Sequence, residues 1–85
     1  MARSRATPED KRRGQALASL LKAGREHRAT TQRALADEAD IALDTLRAIE
    51  AGRSASPAFF TVAALAEALE LRLDDLARQS RREPQ

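Results

Sequence analysis

Thr31-Gln32-Arg33-Ala34-Leu35-Ala36, then, beyond Asp40, Thr45-Leu46-Arg47-Ala48-Ile49-Glu50-Ala51-Gly52-Arg53, are the stretches that decide the fold. Leu35, Ala36 and Ala39 fall on one side of a helix, and Leu46 and Ile49 share one side of a second. Asp40 interrupts the pattern between them, and Gly52 closes the second helix as a C-terminal stop. Two short helices joined by a tight turn follow from this spacing. Leu35 and Ala36 are aliphatic or small, as a close helix crossing requires, and Leu46 and Ile49 anchor the second helix to that crossing. Leu43, Asp44, Arg47 and Ala48 are then left to face outward.

On the N-terminal side, Thr7-Pro8-Glu9-Asp10 combines a hydroxyl N-cap, a proline at the first helical position and two acids at the positive helix end. The helix it opens is expected to run to about Glu26, with Ala16, Leu17, Leu20 and Leu21 inward and Lys11, Arg12, Arg13, Lys22 and Arg25 around the rest. On the C-terminal side, Ser56-Pro57 repeats the cap-plus-proline signal, and Phe59, Val62, Leu65, Ala66 and Leu69 keep helical period. Phe60 is displaced from that stripe by about 100°. Glu70-Leu71-Arg72 makes a turn, and Leu73 to Gln79 reads as a last helix with Asp74 and Asp75 in its first turn. No internal repeat is apparent. The expected organisation is a flexible basic arm over 1–7, one all-α five-helix domain over 8–79 and a flexible tail over 80–85.

The 85 residues leave room for one domain. Cysteine is absent and His27 is the only histidine, which excludes a disulfide framework, a thiolate nucleophile, a cysteine zinc site and a cluster of histidine ligands. His27 reads as a surface residue at a helix end. No apolar run approaches the length of a bilayer crossing. The expectation is a cytoplasmic binding module with no metal, no cofactor, no membrane span and no enzymatic activity. The net charge of +2 conceals a division. Residues 1–28 carry eight basic side chains against three acids, residues 29–76 carry four against nine, and residues 77–85 carry three against one. A basic front and tail around an acidic body suggest a polyanion touched by one face.

These fragments together resemble the lambda-repressor-like, or XRE-type, helix-turn-helix regulators. The family pattern is Ser/Thr-Gln-x-x-Leu-Ala, an Ile-Glu-x-Gly run, then Pro and a closing Leu-Ala-x-x-Leu helix. Here these are Thr31 to Ala36, Ile49 to Gly52, Pro57 and Leu65 to Leu69, and the likeness covers roughly Leu17 to Ala77. The resemblance implies a compact five-helix domain whose helices 2 and 3 form the helix-turn-helix. It implies a transcriptional regulator that binds double-stranded DNA as a homodimer, with a recognition helix over about 43–51 in the major groove. Gln32, Arg33, Leu43, Asp44, Thr45, Arg47, Ala48 and Arg53 fall at the positions expected to contact DNA. Gln32 would offer its amide to a phosphate, Arg47 would be the main groove-facing cation, and Arg53 a phosphate contact. The pattern also implies an ion pair between Arg25, seven residues before Gln32, and Glu50, two before Gly52. Asp40 stands where glycine is usual in the turn, and Ala42 where serine usually caps the recognition helix. Phe60 stands where a polar residue is usual, which makes it a candidate dimer contact. The rival reading is a protein-interaction module, antitoxin-like or an adaptor to the transcription machinery, in which the helix-turn-helix is only a scaffold.

Overall fold

The computed structural model describes residues 7–54 and 57–81. They form α1 (Pro8–His27), α2 (Gln32–Ala39), α3 (Leu43–Glu50), α4 (Phe59–Leu69) and α5 (Leu73–Arg81), with no strand among the described residues. Residues 1–6 of the expected arm over 1–7, residues 55 and 56 with the expected cap Ser56, and residues 82–85 of the expected tail over 80–85 lie outside the described residues.

The long helix α1 starts as a capping box. Thr7 Oγ1 accepts from the Asp10 N–H at 3.0 Å, and the Thr7 N–H donates to the Asp10 carboxylate at 3.3 Å. Gly14, Ala18 and Leu21 form its buried stripe, and the small pair at its N-terminal end admits α5 closely. The expected inward residues Leu17 and Leu20 are only partly buried and flank this stripe. Four leucines, one from each of α1 to α4, are completely enclosed: Leu21, Leu35, Leu46 and Leu65. Around them pack Ala36, Ile49, Val62, Ala66, Leu69 and Leu76. The pair α2 and α4 forms the centre, α3 and α5 flank it, and α1 runs across both flanks. Gly24 lies where α1 meets the turn after α4, since a Cβ there would come within 3.1 Å of Leu71 Cδ1.

The structure reveals an internal repeat that the hydropathy pattern concealed. Residues 31–46 and 61–76 align without a gap at an offset of thirty, with seven of the sixteen positions identical. The backbone follows the same rule. Asp40 is left-handed at φ 60°, ψ 46°, and Glu70 at φ 59°, ψ 38°. The Ile41 N–H donates to the Ala36 carbonyl at 3.0 Å, and the Leu71 N–H to the Ala66 carbonyl at 2.8 Å. In each case an apolar residue follows the left-handed one and turns back onto the core. Thus α2–α3 and α4–α5 are joined by the same turn, although α4 begins two residues before the position aligned with Thr31, the N-cap of α2. Their shared Leu-Ala, Leu-Asp-x-Leu signal is diluted by acidic and alanine substitutions between the leucines.

Three expectations are corrected. Phe59 is 61% exposed and does not start the core stripe of α4, because it is itself the first helical residue and overhangs the edge of the core; Val62 is the first to reach inside. The proline signal does not cap α4: Pro57 precedes the N-cap, which is Ala58, with no side-chain cap bond. The last helix continues past Gln79 to Arg81, and Ser80 is buried. Ser80 Oγ donates to the Ala77 carbonyl at 3.0 Å and accepts from Arg13 Nη2 at 3.2 Å, which ties the expected start of the tail to α1.

Candidate nucleic-acid interface

The expected site divides into a buried tether and an exposed helix face. Arg25 continues the inward stripe of α1 by one turn beyond Leu21, which points its guanidinium at the C-terminal end of α3. Its Nε donates to Glu50 Oε2 at 2.8 Å and its Nη2 to Glu50 Oε1 at 3.0 Å, a bidentate pair. The Arg25 side chain is 13% exposed and that of Glu50 3%. Arg25 Nη1 donates further to the Thr30 carbonyl at 2.9 Å. The guanidinium is held above its already high range chiefly by the hydrogen bond to Glu50, against the opposing cost of burial.

Gln32 departs from expectation. Its Nε2 donates to Glu50 Oε1 at 3.0 Å, so the amide is turned into the ion pair and away from a phosphate. The reason is the burial of Glu50, whose carboxylate oxygens need every donor that can reach them. One carboxylate therefore joins α1, the first residue of α2 and the last turn of α3.

That tether fixes which face α3 turns outward. Asp44, Thr45 and Arg47 are exposed on it, with Arg33 on α2 and Arg53 beyond α3 exposed nearby in the chain. Leu43 and Ala48, also expected outside, are half-buried. Leu43 precedes Leu46 by three residues and so shares its stripe, packing against the core. Arg47 Nη1 lies 3.6 Å from Asp44 Oδ1, one turn earlier, in a surface pair that water screens. Neither Arg33 nor Arg53 has a carboxylate within salt-bridge distance among the described residues. Gly52, at φ +76°, turns the chain after α3, and the Arg53 N–H donates back to the Ala48 carbonyl at 3.1 Å. The N-cap Ala42 makes no side-chain bond, so the N-terminal amides of α3 receive no cap from it.

The arginines of α1 are engaged, whereas Lys11 and Lys22 are exposed and form no ion pair among the described residues. Arg12 pairs with Glu9, and Arg13 is turned to the C-terminal end of α5. Thr30, which accepts from Arg25, is the partner that the residue pattern did not signal; carbonyl acceptors leave no mark on side-chain spacing.

Two short helices meeting at a left-handed turn, the second presenting a polar outer face, define a helix-turn-helix domain. The helix-turn-helix family model matches residues 21–76, from the middle of α1 into α5. The chain belongs to this family, the lambda-repressor-like or XRE-type DNA-binding regulators. No curated protein matches it. No helix among the described residues is long and apolar enough to cross a membrane.

Proposed function

We propose that the protein is a sequence-specific transcriptional regulator that acts as a homodimer, with α3 in the major groove of double-stranded DNA. The observation that carries this reading is the tethered α3: a buried bidentate pair fixes its roll while Asp44, Thr45 and Arg47 face water. A helix held this way meets DNA with its side chains already aimed, so little ordering is left for the moment of binding. Arg47 can exchange its screened contact with Asp44 for a guanine edge, Asp44 can accept from a cytosine amine, and Leu43 offers its exposed part to a thymine methyl. Arg33, Arg53 and the N-terminus of α2 supply phosphate contacts, which set register without reading sequence. One short helix reads few base pairs, so useful selectivity calls for two copies on two-fold related half-sites.

The test is selection of bound sequences from a random DNA pool, with the mass of the complex measured. An enriched two-fold motif, half-site centres about one helical turn apart, is expected, with affinity falling steeply as salt rises. No enriched motif, or binding that ignores salt, would favour a protein-interaction module instead.

A further inference from the structure

We infer that the face carrying Phe59 and Phe60 is a two-fold contact between copies of this chain. The inference deepens the homodimer reading and rests on it. These are the only aromatic residues in the sequence, and neither serves the core: Phe59 is 61% and Phe60 81% exposed. Their rings meet edge to face with centroids 5.2 Å apart, so they form one apolar ridge at the start of α4. Beside that ridge lies a groove of about 300 Å³, walled mainly by Leu17, Pro57, Phe59, Val62 and Leu73; the one charged side chain in its wall, Arg13, is engaged by the Ala77 carbonyl and Ser80 Oγ. Ridge and groove on one face are the two halves that an isologous contact requires of a single chain.

The charge pattern selects a second copy as the occupant. In a two-fold contact each residue near the axis meets its own copy, so any charge there faces a like charge. Ser54 to Ala66 is a run of thirteen residues without a charge, in a chain of which 33% is charged, and the ridge lies inside it. Area sets what else such a contact must include. The exposed parts of the two rings amount to roughly 250 Å² of the 150–250 Å² that each aromatic side chain can bury. A stable dimer needs about 800 Å² from each partner. The rings are thus the anchor of an interface whose remainder must come from the groove and the exposed start of α4, which gives a modest, concentration-dependent dimer that a two-fold DNA site would reinforce.

The experiment is sedimentation equilibrium of the full chain and of Phe60→Ser, with thermal melting and binding to one half-site and to a two-fold site. The parent should be a dimer at high concentration. Phe60→Ser should melt as the parent does, sediment as a monomer, bind one half-site as before and lose about tenfold or more on the two-fold site. A dimeric parent with an equally dimeric Phe60→Ser would overturn the contact and leave the homodimer reading standing. A parent that is monomeric in solution and binds the two-fold site as independent single copies would overturn both, leaving the ridge to a different protein. Should Phe60→Ser fail to fold, Phe60→Cys decides. The chain has no cysteine, so on mild oxidation Phe60→Cys should cross-link faster than a control with its cysteine at the exposed position Asp44 on α3, because the contact brings the two copies of position 60 near one another. A dimeric Phe60→Cys protein that cross-links no faster than the control would overturn the inference.

Discussion

The α2–α3 and α4–α5 units share a backbone turn and a set of leucines, yet they are held and decorated differently. In α3 the last helical residue is Glu50, gripped by Arg25 from α1; thirty residues on, the equivalent position in α5 is Ser80, which receives Arg13 from α1. The first grip is an enclosed bidentate ion pair with a third donor from Gln32. The second has no countercharge: Arg13 Nη2 donates to two uncharged acceptors, Ser80 Oγ at 3.2 Å and the Ala77 carbonyl at 3.1 Å, and Arg13 Nε has no partner in the enclosed space it occupies. The outer faces differ as well. On α5, Asp74 and Asp75 pair with Arg72, and Asp75 with Arg78, so its charges satisfy one another. On α3, Arg47 has a single exposed partner. A common turn thus builds the domain, and the residues around it decide how firmly the second helix of each pair is held.

Breaking the tethers should separate the two units most clearly. Glu50→Gln leaves the Arg25 charge enclosed and uncompensated, and should cost ~3 kcal/mol or more in urea unfolding. Ser80→Ala removes one of the two uncharged acceptors of Arg13 and leaves the Ala77 carbonyl, so it should cost less, about 1.5 kcal/mol, in the same measurement. Equal losses would mean that the two grips are equivalent. The shared turn offers a finer comparison. Glycine relieves a left-handed side chain, so Asp40→Gly and Glu70→Gly should each stabilise by about 1 kcal/mol, with the larger gain at Glu70 because aspartate tolerates that region better. Ala42→Ser should add a missing N-cap to α3 and raise stability by about 1 kcal/mol. The smallest effect concerns acid. Asp74 is held below the ordinary aspartate range by its hydrogen bond to Arg72, so its contribution is present above that range and is lost as pH falls through the lowered value. Carboxyl NMR titration should show Asp74 protonating late, and Arg72→Ala should move that titration up toward the ordinary range.

The number of helices and most of their ends were legible because caps and glycine stops are local: Thr7 and Thr31 both cap through their hydroxyls, as their spacing indicates. The first turn of α4 misled because Ser-Pro marks a favourable start without dictating where the chain must leave the loop. Phe59 misled because period alone cannot say where a helix passes beyond the edge of the core. Ala29, left-handed at φ 56° with its N–H on the Glu26 carbonyl at 2.9 Å, carried no signal, since alanine is among the poorest markers of that conformation. At the candidate site, helical period put Leu43, Asp44, Arg47 and Ala48 outside, and only Asp44 and Arg47 are fully exposed; Thr45 was reached through the resemblance alone, and the inward turn of the Gln32 amide depends on a carboxylate eighteen residues away. Long-range polar satisfaction is the part that one-dimensional pattern does not encode.

The central claim is that α3, and not its structural counterpart α5, reads DNA. The direct measurement is the affinity of Arg47→Ala and Arg78→Ala for the selected two-fold site and for random duplex at one salt concentration. Arg47→Ala should lose specific affinity by about 1–3 kcal/mol per half-site while its random binding falls far less, and Arg78→Ala should bind both as the parent does. An Arg78→Ala variant that loses selectivity as much as Arg47→Ala, or an Arg47→Ala variant that weakens on both duplexes equally, would contradict the account.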